Sequence, residues 1–146
     1  MPLRRAIVLG ALGVLFLGST ADGATAASQV PPTVRGALTF ASRHDWTRVS
    51  ATGCRGRGLY GDVEGGTALT VSDGTGRVLL RTTLRPGHRS GGCRFAFVLR
   101  KLPPSPLYHL VVGPARNIVF QDLFTPNDPR LEAQALDFTI RSSAPV

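Results

Sequence analysis

Residues 67–85 read TALTVSDGTGRVLLRTTLR, and this stretch decides the fold class that the sequence predicts. Two runs rich in leucine, valine and threonine flank the turn sequence Asp73-Gly74-Thr75-Gly76. Asp-Gly followed by a second glycine accommodates the positive backbone φ that a hairpin loop requires. The stretch therefore predicts a β-hairpin, with residues 67–72 as its first strand and residues 77–85 as its return strand.

The return strand of this hairpin carries regularly spaced arginines. Strict alternation places Val78, Leu80, Thr82 and Leu84 on one face and Arg77, Leu79, Arg81, Thr83 and Arg85 on the other. Arg77, Arg81 and Arg85 are then spaced about 13–14 Å apart, at about 3.4 Å per residue. Guanidinium groups in such a row can bind phosphates or carboxylates bidentately, which predicts an anion-binding face. The same charges also suit a solvated strand that resists edge-to-edge pairing.

The rest of the chain repeats the same pattern of short alternating runs separated by glycine, proline and aspartate. Strands are predicted at residues 33–40, 94–102, 108–112, 117–120 and 136–140. Their alternation predicts five buried side chains: Phe95, Phe97, Leu136, Phe138 and Ile140. The pattern is typical of an all-β protein, a small antiparallel β-sandwich of immunoglobulin-like or transthyretin-like type. The one helical signal is Asp128-Pro129, because aspartate is a good N-cap and proline suits the first helical position.

The first 27 residues have the features of a secretory signal peptide. Arg4 and Arg5 precede an apolar run at residues 6–17, and Ala24-Thr25-Ala26 forms an A-x-A cleavage signal. The apolar run is shorter than the about 20 residues that span a bilayer, so no transmembrane span is expected after cleavage. We expect a secreted or cell-envelope-associated protein, in which residues 28–32 form a short polar lead and residues 33–146 form a single β-sandwich domain.

Cys54 and Cys93 are the two cysteines of the chain. An even cysteine count in an exported protein predicts a disulfide, and two cysteines allow one intramolecular pairing. The two cysteines are 93 − 54 = 39 positions apart. A disulfide that closes a loop of this length stabilises the fold by roughly 3–4 kcal/mol in the chain-entropy model. Two cysteines and three scattered histidines do not provide the spacing of a zinc site, so no metal and no cofactor is expected.

Residues 53–63 read GCRGRGLYGDV. They are followed by the hairpin, then by the run Cys93-Arg94-Phe95-Ala96-Phe97-Val98, and then by the strand that begins at Tyr108. This order resembles a family of small exported actinobacterial modules. In that family a cysteine and a G-x-G-x-Y-x-D-[IV] run precede a hairpin, a C-x-F-x-F-x-V strand and a Y-x-V-x-V strand. The resemblance covers residues 53–120 and implies a disulfide-pinned β-sandwich with no assigned activity; residues 125–130 depart from the pattern. Transthyretin-like and carboxypeptidase-regulatory-like sandwiches have a similar but more distant order of strands, which implies no function.

The sequence contains no strong catalytic motif. His44, His88 and His109 are scattered, and no G-x-S-x-G element holds a nucleophile, so we expect a protein that is not an enzyme. The formal net charge is +8, and residues 77–101 contain seven basic residues and no acid. Export and the few aromatic residues near these arginines argue against nucleic acid and favour an anionic lipid or wall polymer as partner.

The sequence thus favours an exported, non-catalytic binding module that contacts an envelope component or a partner protein. A secreted inhibitor or accessory subunit is the alternative, because a disulfide-pinned sandwich can present a loop such as residues 102–107 to a protease. A small enzyme is the third, least favoured, class.

The disulfide gives the first testable prediction. Alkylation of the natively exported protein without reduction, followed by intact-mass measurement, should modify neither cysteine, because Cys54 and Cys93 are bonded to each other. After reduction both should be modified. Two alkylated thiols in unreduced material would contradict the assignment.

Overall fold

The computed structural model describes residues 30–114 and 116–141. The predicted signal peptide, residues 1–27, lies outside the described residues. Ten strands and one short α-helix occur in the described part of the chain. In chain order they are β1 (Thr33–Phe40), β2 (Trp46–Arg48), β3 (Gly53–Gly56), β4 (Ala68–Asp73), β5 (Val78–Thr83), β6 (Gly87–Arg89), β7 (Cys93–Arg100), β8 (Tyr108–Val112), β9 (Phe120–Phe124), α1 (Pro129–Glu132) and β10 (Ala135–Ile140). A 3-10 turn at Gly58–Tyr60 follows β3.

The strands form two sheets around a shared apolar core, which confirms the prediction of a β-rich, two-sheet protein. The first sheet has six strands in the order β10-β1-β7-β6-β3-β2, and the second has four in the order β5-β4-β8-β9. All described strand pairs are antiparallel except β1 and β10, which run parallel. The expectation of a purely antiparallel sandwich is therefore wrong at this pair. The reason is the connection: β10 follows β9 of the other sheet through α1, and such a crossover permits a parallel pair, whereas a hairpin does not.

Strand β7 lies inside the first sheet, as its apolar sequence predicts. Phe95, Phe97 and Leu99 are fully buried, whereas Arg94 and Arg100 alternate with them on the outer face. Among the other predicted core residues, Leu136 and Phe138 of β10 are buried and Ile140 is half-buried. Residues of β7 and β1 pair over the whole length of both strands, from Thr33 opposite Arg100 to Phe40 opposite Cys93.

The hairpin of the second sheet is formed by β4 and β5, and its turn is fixed by one carboxylate. Oδ1 of Asp73 accepts hydrogen bonds from the backbone N–H groups of Thr75 (2.9 Å) and Arg77 (3.0 Å). Gly76 adopts a φ of 86°, which glycine tolerates best. A β-bulge then shifts the register, so that Val71 pairs with Leu80 and Ser72 pairs with Val78.

The bulge alters which side chains of β5 face the core. Leu79 and Leu80 both pack against the core, although strict alternation places them on opposite faces. The predicted single alternation from Arg77 to Arg85 is therefore wrong, because the bulge inserts one residue into it. The strand itself ends at Thr83, two residues before Arg85.

The predicted disulfide between Cys54 and Cys93 is present, with the two Cα atoms 5.8 Å apart. Cys54 lies in β3 and Cys93 in β7, and both strands pair with the short strand β6 between them. Glycine is required in β6, because a Cβ on Gly87 would collide with the carbonyl oxygen of Cys54 and with the ring of Phe95. Both sulfur atoms lie in the buried core.

The helix α1 forms where the sequence predicts it. The side chain of Asp128 accepts a hydrogen bond from the backbone N–H of Arg130 (2.9 Å), and Pro129 occupies the first turn. The guanidinium of Arg130 bonds to Asp122 (2.9 Å) of β9 and to Asp128 (2.7 Å), and it lies over the ring of Phe138 in β10. The Arg130 side chain therefore links α1 to β9 of the second sheet and to β10 of the first sheet.

The buried aromatic centre of the first sheet gives a second prediction. Phe97 is 1% exposed and stacks with Phe138, so Phe97→Ala should lower the free energy of unfolding by about 3–5 kcal/mol. Urea denaturation measures the change. Leu123→Ala, at a side chain that is 58% exposed, serves as the control and should change it by less than about 0.5 kcal/mol. Equal stability of Phe97→Ala and the parent would contradict the strand register.

Candidate anion-binding site

The structure places the three predicted arginines in three different settings. Arg77 lies at the turn, where its Nε atom is 3.1 Å from Oδ2 of Asp73. Arg81 is exposed within β5. Arg85 lies beyond β5 in the connection to β6, and its backbone N–H donates to the carbonyl oxygen of Ala96 in the first sheet (2.8 Å). The three residues are thus not brought together on one strand, and their joint binding of an anion stays a prediction.

Arg85 instead lines a groove on the outer face of the first sheet, with a volume of about 580 Å³. The other arginines of the groove are Arg35 of β1 and Arg94 and Arg100 of β7. They reach the same face because Arg35 alternates with buried Val34 and Gly36, and Arg94 and Arg100 alternate with buried phenylalanines and Leu99. We call this set of four arginines and the surface between them the arginine groove.

Small side chains form the floor between these arginines. Ala96 and Val98 of β7 and Ala135 of β10 line the groove, and Val98 lies opposite Arg35 of β1. Arg100 pairs with Thr33, two residues from Arg35, so the Cα atoms of the two arginines are roughly 8 Å apart at standard strand spacings. Long side chains around short ones leave a depression in an otherwise flat sheet face.

The charges of the arginine groove are only partly compensated. Nη2 of Arg94 is 3.1 Å from Oδ1 of Asp137 in β10, and both side chains are close to half exposed, so the pair adds little to stability. Arg35, Arg85 and Arg100 are exposed and form no ion pair with any residue of 30–114 or 116–141. The groove therefore presents three guanidinium groups with unused hydrogen-bond donors.

Sequence reasoning missed Arg35 and did not connect Arg94 and Arg100 to Arg85. A signal existed for β7, since Arg94 and Arg100 alternate with apolar residues in a basic stretch that lacks acids. The missing information was the pairing of β1 with β7 and the return of the chain at Arg85. These are contacts between residues far apart in the sequence.

A smaller cavity of about 300 Å³ lies where the segment after β1 meets the β6–β7 loop. It is lined by Ala41, Arg43, Trp46, Arg89, Ser90, Gly91 and Gly92. The guanidinium carbon of Arg43 lies 4.8 Å from the centroid of the Trp46 ring. Trp46 is 5% exposed, and its Nε1 atom has no hydrogen-bond partner within the described ranges.

The histidines occupy separate places. His88 lies in the first sheet, whereas His109 lies in the second sheet, where its Nε2 atom is 3.2 Å from Oε1 of Gln121. His44 is exposed in the segment between β1 and β2. Over the part of the chain that the structure describes, no group of three or more histidine, cysteine, aspartate or glutamate side chains has the arrangement of a metal site.

Comparison with known proteins adds no relative. Family models, curated proteins and solved structures all returned no match to this chain. Within residues 30–114 and 116–141, no helix has the length and apolar character that crossing a membrane requires.

The hairpin turn beside Arg77 gives a prediction on acid stability. Hydrogen bonds lower the pKa of Asp73 from 3.8 to about 2. The largest effect comes from the Thr75 hydroxyl, followed by the backbone N–H groups of Arg77 and Thr75 and by the Arg77 side chain. The ionised carboxylate therefore stabilises the fold above about pH 4, and this stabilisation is lost as the pH falls towards 2. Thr75→Val should raise the Asp73 pKa towards 3.8 and weaken the dependence of stability on pH between 4 and 2.

Carboxyl-detected NMR titration of Asp73 and urea denaturation at several pH values measure these two effects. Thr83→Val, at an exposed position of β5 outside the turn, is the control and should leave the Asp73 pKa unchanged. An Asp73 pKa near 3.8 in the parent protein would contradict the hydrogen-bonded turn.

Proposed function

We propose that the protein is an exported, non-catalytic binding module that holds an anionic component of the cell envelope in the arginine groove. The observation that carries the proposal is the convergence of Arg35, Arg85 and Arg100 on one groove without an ion-pair partner in the described residues. Export rests on the signal-peptide pattern of residues 1–27 in the sequence. The resemblance to small exported actinobacterial modules is consistent with this assignment.

The chemistry of the groove favours oxyanions. A guanidinium group stays charged at every relevant pH and presents a planar fork of donors that matches a phosphate or carboxylate. Three such groups around a floor of alanine and valine can contact one anionic group from several sides while short apolar side chains exclude some water. Acidic phospholipid and phosphorylated wall polymer both present phosphate groups in this form.

The alternative, an inhibitor that presents residues 102–107, receives less support. Leu102 and Ser105 of this segment are buried, and the Tyr108 hydroxyl holds it by accepting from the Ser105 N–H (2.9 Å) and donating to the Pro103 carbonyl (3.0 Å). Burial raises the pKa of Tyr108, which keeps this donor protonated. Pro103, Pro104 and Pro106 of the same segment are exposed, so the inhibitor alternative stays open. The segment has no counterpart to the unpaired charges of the arginine groove.

Arginine substitutions in the groove test the proposal. Sedimentation of the protein with vesicles containing phosphatidylglycerol, and with purified phosphorylated wall polymer, measures binding at several salt concentrations. Replacing Arg35, Arg85 and Arg100 with Gln should weaken binding about a hundredfold, because each arginine near an anionic surface contributes about 1 kcal/mol. Binding by the parent should also fall steeply with salt, because screening acts over about 10 Å at 0.1 M.

Two matched variants separate the groove from net charge. Replacing Arg48, Arg55 and Arg57, which are exposed on or next to β2 and β3, removes the same charge away from the groove and should change affinity by less than about threefold. Replacing Arg77 and Arg81 tests the hairpin face. If the groove variant and the β2–β3 variant lose the same amount of affinity, net charge alone explains the binding. Absence of binding by the parent protein at low salt would refute the proposal.

A further inference from the structure

We infer a second binding site in the cavity lined by Arg43, Trp46, Arg89 and the loop Ser90-Gly91-Gly92, which we call the Trp46 pocket. It shares no lining residue with the arginine groove, so it does not depend on the function proposed for that groove. The occupant that its chemistry selects is one compact oxyanion: a phosphate, sulfate or carboxylate group.

The indole of Trp46 supplies the first argument. An indole N–H can only donate a hydrogen bond, and a buried donor without an acceptor is unfavourable. Trp46 is 95% buried and lines the pocket, and Nε1 has no acceptor within the described residues. Nε1 has almost no contact with solvent, so a ligand oxygen that supplies the missing acceptor must displace a side chain that now covers this atom.

The two arginines supply the second argument. Nη1 of Arg89 donates to the carbonyl oxygen of Ala51 (3.0 Å), which holds this side chain at the pocket while its other donors stay available. Arg43 lies over the Trp46 ring, 4.8 Å from its centroid. The lining residues therefore carry two positive charges and no acidic group. A cavity with these donors selects an acceptor-rich anion and disfavours a cation or a neutral apolar ligand.

The fold fixes the loop that borders the pocket. The loop ends at Cys93, which is held by the disulfide to Cys54. Gly92 packs so closely on the end of β1 that an added Cβ would lie 2.5 Å from the carbonyl oxygen of Phe40. With a volume of about 300 Å³, the pocket has room for a compact anionic group.

Trp46 is the one tryptophan of the sequence, which makes a direct test possible. In a ¹H–¹⁵N correlation spectrum of the full, disulfide-bonded protein, a single indole resonance reports on Nε1. Sodium phosphate, sodium sulfate and sodium acetate are titrated separately at constant ionic strength maintained with sodium chloride. At least one oxyanion should shift the indole proton downfield and saturably, whereas chloride alone should not.

Substitutions locate the effect. Arg43→Gln should raise the titration midpoint about tenfold or more, and Arg43→Lys, which keeps the charge but loses the planar fork, should raise it less. Arg55→Gln is the matched control: Arg55 is exposed one residue from Gly56, the partner of Trp46 in β3, and its loss should leave the midpoint within about twofold. The groove variant lacking Arg35, Arg85 and Arg100 should also titrate like the parent.

Three results would overturn the inference: an indole shift that never saturates, the same shift with chloride, or equal changes in the Arg43→Gln and Arg55→Gln midpoints. Thermal unfolding of each variant verifies that it is folded. A normal indole titration with no binding to vesicles or wall polymer would refute the arginine groove alone, and the reverse pattern would refute the Trp46 pocket alone.

Discussion

The bond between Cys54 and Cys93 joins β3 and β7 of the first sheet and constrains the part of the chain that passes through the second sheet between them. The two cysteines are 39 positions apart, and between them the chain leaves the first sheet, forms the β4–β5 hairpin of the second sheet and returns as β6. The return must fit between the two bridged strands, and Gly87 allows the close approach. Arg85 lies two residues before Gly87, and its backbone hydrogen bond to Ala96 holds it at the outer face of the first sheet.

Strands β1 and β7 link the two candidate sites. The arginine groove lies on the outer face of β1 and β7, where residues alternate with the buried core of both strands. The Trp46 pocket lies at the end of these strands, where the loop before Cys93 meets the segment after β1. Arg35, Arg94 and Arg100 lie on strands whose opposite faces are buried. Arg89 ends β6, whereas Arg43 and Arg85 lie in the connections next to these strands. The core side chains therefore fix positions that the charged side chains alone would not hold.

Local features of this fold could be predicted from the sequence, and features that depend on distant pairing could not. The Asp73-Gly74-Thr75-Gly76 turn, the alternation of Phe95 and Phe97 and the Asp128 cap each act within a few residues, so their sequence signals are sufficient. The disulfide is predicted by the number of cysteines and by the expected export of the protein. The parallel pairing of β1 with β10 and the bulge at Leu79 depend on how strands meet, which no local pattern encodes. Local alternation likewise predicts Arg85 on a face of the hairpin, because the sequence does not show that it lies beside Arg35 and Arg100 of other strands.

The proposed function depends on the binding of anionic envelope components in the arginine groove. The most direct measurement is an NMR map of backbone amide shifts during titration of the protein with phosphorylated wall polymer or with acidic nanodiscs. Binding in the groove should place the largest shifts on β1, on β7 and on the start of β10, around Arg35, Arg100 and Ala135. Shifts concentrated on the β4–β5 hairpin around Arg77 and Arg81, or spread evenly over the surface, would contradict it.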